Sequence, residues 1–369
     1  MLESNLYRRK IKDMITKVLD EKTVKLNGRT YTDENGILWC GMSGSGAEFI
    51  FSGEKLVVTA VGDYVAEHGN DIDKCRLAVC VNGERVLDKM ICKNEESFTV
   101  IDKPVKNAEV NIIKLSECAM SAVGIKPVEA DEGAEFTPVE RKPLRIEFIG
   151  DSITCGYGVD DEVAENPFST HTEDVTKAYA YKTAKALDAE YSMFSASGYG
   201  IISGWTGDGT KNPDQTIPQF YKSHGFTYGS FGDKKPQDIS WDFGRYVPQI
   251  VVINLGTNDD SYCGSDEQRR LEYKDSYKAF LKEVRELNPN AYILCVLGMM
   301  EHNMYPYVEK ACEEYKAETG DKNISSLHLT EQNGAEDGFA ANWHPTAKTH
   351  SKASAAVVQE IRNIIDSGI

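Results

Sequence analysis

Four short segments hold the side chains that could do chemistry: GDSIT at 150–154, SASGYG at 195–200, GTND at 256–259 and NWHPT at 342–346. A serine hydroxyl is a poor nucleophile at neutral pH and needs a base within hydrogen-bond reach. Ser152 is the candidate nucleophile. Its setting is not the Gly-x-Ser-x-Gly elbow of α/β-hydrolases, because Thr154 stands two residues after it. His344 is the candidate base, since partners of a nucleophilic serine are recognised by geometry and not by chain order. It precedes Pro345, which biases its backbone toward an extended shape. His350 competes for the role but falls inside a predicted helix. A tetrahedral intermediate also needs hydrogen-bond donors, and removing one typically costs ~3–4 kcal/mol. The backbone N–H groups of Ser152 and Gly198 and the side-chain amide of Asn258 are donors of the right type. Each residue also has a plainer reading: a turn serine, a permissive glycine, an Asx-turn asparagine. Together they point to acyl transfer through a serine ester.

Such residues must be brought together by the elements that precede them. LRIEFIG, YSMFSAS, PQIVVIN, AYILCVLG and ISSLHLT read as strands. DVTKAYAYKTAKALDAE, YPYVEKACEEYKAETG and HPTAKTHSKASAAVVQEIRNIID read as helices, as does SDEQRRLEYKDSYKAFLKEVRELNP, capped at Ser265 and stopped at Asn288-Pro289. Alternating strands and helices predict an α/β fold, a parallel sheet with helices on both faces. Ligands bind at the carboxyl ends of such strands, so the three glycine-rich loops should meet on one rim. Asp259 is expected to brace its own turn. From about residue 30 to 140 the runs are shorter and β-like, with an Asn82-Gly83 hairpin turn. They predict a β-sandwich, joined by the linker DEGAEFTPVERKP. The start is amphipathic: Leu6, Ile11, Met14, Ile15 and Val18 recur at roughly helical spacing. The expected organisation is residues 1–140, an N-terminal helix plus β-sandwich, then residues 141–369 carrying the four segments.

A net charge of −17 argues against nucleic acid, whose binding needs phosphate neutralisation, and against anionic membranes. A neutral substrate fits better. No run is long enough to span a bilayer, and the start lacks a signal-peptide pattern, so a cytoplasmic location is expected. Nine scattered cysteines, an odd number, read as reduced packing residues. GYGIISG lacks the spacing of a dinucleotide fingerprint, and GNDIDKC lacks the glycine and distal glutamate of a calcium loop. No His or Cys spacing suggests zinc. No cofactor is expected.

The four segments, in this order from residue 144 to the C-terminus, resemble the block signatures of the SGNH (GDSL-type) hydrolases. A β-sandwich ahead of GDSITCGYG and WHPT is further similar to carbohydrate esterase family two. The resemblance implies a jelly-roll-like sandwich followed by a three-layer α/β/α hydrolase domain. It implies a serine esterase, an acetylxylan esterase or carbohydrate acetyl esterase, that deacetylates xylan- or mannan-derived oligosaccharides. It assigns the oxyanion to Ser152, Gly198 and Asn258. In most of the superfamily an aspartate lies three residues before the histidine, where this chain has Ala341. Some family-two members use a Ser–His dyad with a main-chain carbonyl on the imidazole. A dyad is therefore expected here, with Asp337 as the alternative third member. Trp205, Tyr199 and Trp343 are the candidate sugar contacts, since an aromatic face packs well on a sugar ring. Two other readings stand beside this one: a lipid-type acyl hydrolase or thioesterase of the same fold, and a glycan-binding protein with weak or no catalysis.

Overall fold

The computed structural model describes residues 14–300 and 302–368. Its C-terminal half is built on five parallel strands. Their spatial order is Glu190–Ser195, Arg145–Gly150, Ile250–Asn254, Tyr292–Leu297 and Ile324–His328. The inner strands Ile250–Asn254 and Tyr292–Leu297 are rich in apolar residues because both faces are covered, while the edge strand Ile324–His328 is more polar and less buried. On one face Val251, Ile253, Ile293 and Cys295 pack with the helices Glu267–Leu287 and Tyr305–Thr319. On the other, Ile146, Phe148, Val252 and Leu294 pack with Tyr179–Ala186 and Ala347–Asp366. The alternation of neighbouring residues between the two cores is the period-two pattern of a strand.

Register decides where the loops begin. Gly150 is level with Ser195 on one side and Asn254 on the other. The strand order reverses direction at the first strand, and ligands bind in the crevice at such a point. The loops bearing Ser152, Gly198 and Asn258 leave the sheet together there, as expected.

The N-terminal half consists of two antiparallel sheets. One contains Met14–Lys17, Val128–Asp131, Leu56–Gly62, Val123–Ile125, Leu38–Cys40 and Thr30–Thr32, with Glu95–Ile101 also paired to Leu56–Gly62. The other contains Glu135–Pro138, Gly46–Gly53, Val105–Lys114, Arg76–Val81 and Glu84–Met90, with Lys25–Asn27 beside Gly46–Gly53. Phe49, Phe51, Val79 and Ile112 of the second sheet share one core with Leu38, Val58, Val123 and Val128 of the first. Asn82 and Gly83 both have positive φ, as the tight hairpin between Arg76–Val81 and Glu84–Met90 requires.

Arg29 joins the two halves. It is fully buried, 3.0 Å from Glu147 of the Arg145–Gly150 strand, and donates to the Tyr221 and Ser223 carbonyls. Its guanidinium lies over the Phe194 and Tyr221 rings.

Four expectations need correction. Met14–Lys17 is a strand, antiparallel to Val128–Asp131, and not part of a helix; Leu6 and Ile11 lie outside the described residues. The supposed linker contributes the strand Glu135–Pro138 to a sheet edge, where proline is tolerated. The long helix is capped by Asp266, whose side chain accepts the Gln268 and Arg269 N–H groups, and not by Ser265. The helix predicted from Asp174 begins at Tyr179, because Asp174 instead caps a separate turn over Val175–Lys177. All nine cysteines are free and seven are buried, with Cys92 exposed. Among the described residues no helix is long and apolar enough to cross a membrane.

Candidate active site

Ser152 opens a one-turn helix, Ser152–Cys155, directly after the Arg145–Gly150 strand. A Cβ at Gly150 would lie 2.0 Å from the Thr154 hydroxyl oxygen, so the turn requires glycine. Asp151 caps the turn, its Oδ1 accepting the Ile153 N–H at 3.0 Å. Burial lifts the Asp151 carboxyl to about 7, and the Asp259 charge pushes the same way. The Ser152 N–H sits at the first helical position, where the helix itself offers no acceptor.

His344 comes to this serine from the far end of the chain. Its Nε2 is 2.9 Å from Ser152 Oγ, and its Nδ1 is 3.1 Å from the Asn342 carbonyl oxygen. A proton on Nδ1 donates to that carbonyl, which leaves Nε2 free to accept from the serine hydroxyl. The carbonyl is aimed by two successive left-handed residues, Asn342 (φ 52°, ψ 40°) and Trp343 (φ 57°). Burial pushes the imidazole down to about 4, so it is neutral at neutral pH. That is the form a general base needs. Tyr157 lies flat on the imidazole, with ring centroids 3.8 Å apart and planes at 17°.

The other expected partners of the histidine are elsewhere. Asp337 pairs with Lys352 at 2.6 Å and Lys348 at 2.9 Å, which hold it below the usual carboxylate range. The geometry therefore does not make Asp337 a third member, and the contact it was expected to supply comes from a main-chain carbonyl. His350 is buried, and its Nδ1 accepts the Tyr179 N–H at 3.1 Å.

Gly198 is left-handed (φ 80°), and a Cβ there would meet nothing within 4 Å. Its backbone can thus be approached closely. Asn258 lies in the first turn of Thr257–Cys263, its Nδ2 donating to the Tyr199 carbonyl at 2.9 Å and to Asp151 Oδ2 at 3.3 Å. Asp259 reaches beyond its own turn: it accepts the N–H groups of Ile201, Ile202 and Ser203, fixing the loop that follows Gly198.

Ser152, Gly198, Asn258 and His344 line one cavity of about 500 Å³, together with Tyr157, Phe168 and Trp205. Met120 reaches the same cavity from the N-terminal half. Trp205 is 62% exposed, so its indole face is open to a ligand. Trp343 is exposed but does not line the cavity; its carbonyl receives the Gln332 amide. Tyr199 is 3% exposed and packs against Phe226, so its ring is a core group and not a sugar contact. Sequence reasoning missed Tyr157, whose signal is the pair of flanking glycines in CGYG, and Phe168, which has no signal. Among the described residues no group of three or more His, Cys, Asp or Glu side chains is arranged to hold a metal ion.

A family model described as GDSL-like lipase/acylhydrolase matches residues 146–357. The cellulase/esterase CelE of Acetivibrio thermocellus is 30% identical over 356 residues, 93% of this chain, and the chain spans 40% of that protein's length. An acetylxylan esterase / glucomannan deacetylase of Cellvibrio japonicus is 27% identical over 346 residues, 93% of this chain and 89% of that protein. Among solved structures, a family two carbohydrate esterase from Clostridium thermocellum in complex with cellohexaose has a TM-score of 0.79 at 26% identity, covering 93% of this chain and 99% of its own. An acetyl xylan esterase from Butyrivibrio proteoclasticus has a TM-score of 0.84 at 22% identity, covering 97% and 100%, a likeness of fold.

Proposed function

The chain belongs to the GDSL-like lipase/acylhydrolase family, and from that premise we propose that it is a serine esterase removing O-acetyl groups from acetylated xylan- or mannan-derived oligosaccharides. The observation that carries the reading is the 2.9 Å approach of His344 Nε2 to Ser152 Oγ on the wall of the cavity. Ser152 Oγ attacks the acetyl carbonyl carbon while His344 Nε2 takes its proton. The Ser152 and Gly198 N–H groups and the Asn258 amide hold the oxyanion. Collapse of the intermediate expels the sugar oxygen, which takes the proton from His344 and leaves acetyl-Ser152. Water then attacks the acetyl carbonyl, giving its proton to His344, and acetate leaves as Ser152 is reprotonated. The chemistry calls for no cofactor.

Similar proteins favour this substrate class: one is named an acetylxylan esterase / glucomannan deacetylase, and another was solved with cellohexaose. The exposed Trp205 indole supplies a platform for a sugar ring beside the nucleophile. We read residues 14–140 as a jelly-roll-like accessory sandwich and residues 141–368 as the hydrolase domain. Met120 then makes the accessory part a wall of the cleft.

The test is acetate release from acetylated xylo-oligosaccharides by wild type, Ser152→Ala and Asp337→Ala. Release lost in Ser152→Ala and kept in Asp337→Ala is the expected result. Near wild-type release by Ser152→Ala would overturn the mechanism. A preference for long-chain over acetyl p-nitrophenyl esters would move the substrate to lipids.

A further inference from the structure

Resting on the Ser152–His344 reading, we propose that Tyr157 is a positioning residue of the base, its ring stabilising an imidazolium that no carboxylate among the described residues hydrogen-bonds. Proton transfer from Ser152 puts a positive charge on His344 inside a buried site. The imidazole's hydrogen bonds go to Ser152 and to the neutral Asn342 carbonyl. The Tyr157 ring lies parallel to it at 3.8 Å, close enough for its π face to meet the charge. Phe168 packs on Tyr157 at 5.1 Å and holds the ring in place.

The same tyrosine supports the turn that aims the carbonyl. Its hydroxyl accepts the Asn342 Nδ2–H at 3.3 Å, and Asn342 is the first of the two left-handed residues. Burial raises the phenol to about 12, so it stays protonated throughout the working range. The chain around Tyr157 is made for close approach. Gly156 and Gly158 are both left-handed, and a Cβ on Gly158 would meet Ala341 atoms at 3.0 to 3.2 Å. These contacts bring CGYG flush against the residues leading to His344.

The titratable groups around this pair are known. Asp151 adjoins the nucleophile, the buried Glu117 and Glu173 act on Tyr157, and His350 is held neutral by burial. None of them hydrogen-bonds the imidazole.

The experiment places phenylalanine and then increasingly fluorinated phenylalanines at position 157, with Ser152→Ala as control, using p-nitrophenyl acetate. Fluorination keeps the ring's shape and drains its π density. Tyr157→Phe, which keeps the stacked face and gives up the Asn342 contact, is the reference against which the fluorinated rings are compared. The most fluorinated ring is expected to lower kcat by about 30-fold, roughly 2 kcal/mol at 1.36 kcal/mol per tenfold, with KM little changed. The acid limb of kcat/KM should move to lower pH along the series, since a less stabilised imidazolium loses its proton more readily. Equal kcat and an unmoved acid limb across the series, with Ser152→Ala inactive, would overturn the role of Tyr157 and leave the esterase intact. Activity in Ser152→Ala would instead overturn the reading on which it rests.

Discussion

Lowering the pH should spare catalysis well below the range where an ordinary histidine base is lost. Burial pushes His344 from 6.5 to about 4. At pH 5 a group titrating at about 4 is ~90% neutral, whereas one at the ordinary value is ~3% neutral. Because kcat/KM reports the free enzyme, acetate release at pH 5 should stay near its neutral plateau, about 30-fold above what an unperturbed imidazole allows. The assay is the initial rate of acetate release in quenched aliquots from about pH 3.5 to 8, with circular dichroism at each pH to confirm folding. Asp151 and Asp259 also titrate in this window, being lifted by burial to about 7 and about 6. Asp151→Asn removes the nearer of the two, and its acid limb should still fall near that of His344. A half-maximal point near 6.5 in folded enzyme would refute the reasoning. The same shift bears on stability. A depressed folded value contributes stability that is full above the unfolded value of 6.5 and is lost as the pH falls to about 4. For His344 that interval is worth at most about 3 kcal/mol at 1.36 kcal/mol per unit. His224 and His350 are depressed by burial as well and add to the loss in acid.

Arg29→Met should cost about 3–5 kcal/mol in urea denaturation, because it leaves Glu147 buried without its cation; adding Glu147→Met should restore most of it. Gly158→Ala should reduce kcat for acetate release by about tenfold to a hundredfold, since the new methyl meets Ala341 in a left-handed position and shifts the turn before His344. Ala341→Asp should not raise kcat, and should cost about 1–3 kcal/mol in thermal unfolding through overpacking. Faster acetate release by that variant would refute the packing argument.

How much was legible depended on whether the signal was local. The inner strands Ile250–Asn254 and Tyr292–Leu297 are nearly continuous apolar runs because both faces are covered, and burial of that kind is written in composition. Met14–Lys17 was misread because apolar residues at helical spacing in so short a stretch also suit a strand, and pairing with Val128–Asp131 decided the matter. Glu135–Pro138 looked like a linker because an exposed edge strand can be polar and hold a proline. Ser152, Gly198, Asn258 and His344 were legible from residue type and order, and the structure brings all four to one cavity. Tyr199 was misassigned because the sequence placed it in the right loop without giving the direction of its ring. Tyr157 was missed because its contact depends on a segment that returns from the far end of the chain.

The alanine at position 341 is a consequence of that packing. Gly158 approaches Ala341 so closely that even a methyl on the glycine would crowd it, and Ala341 is fully buried. An aspartate there would need both room and donors, and the room is taken by the segment that carries Tyr157. A carbonyl and an aromatic face thus occupy the surroundings in which a carboxylate would act. Both are neutral, so neither raises the histidine as an anion would, and burial is left to set its titration low. The low value keeps the base deprotonated in acid. It also makes His344 a weaker proton acceptor, which slows the attack of Ser152. An acid-shifted limb and a slower attack are therefore expected together, and a variant that gains one by moving the His344 titration should lose the other.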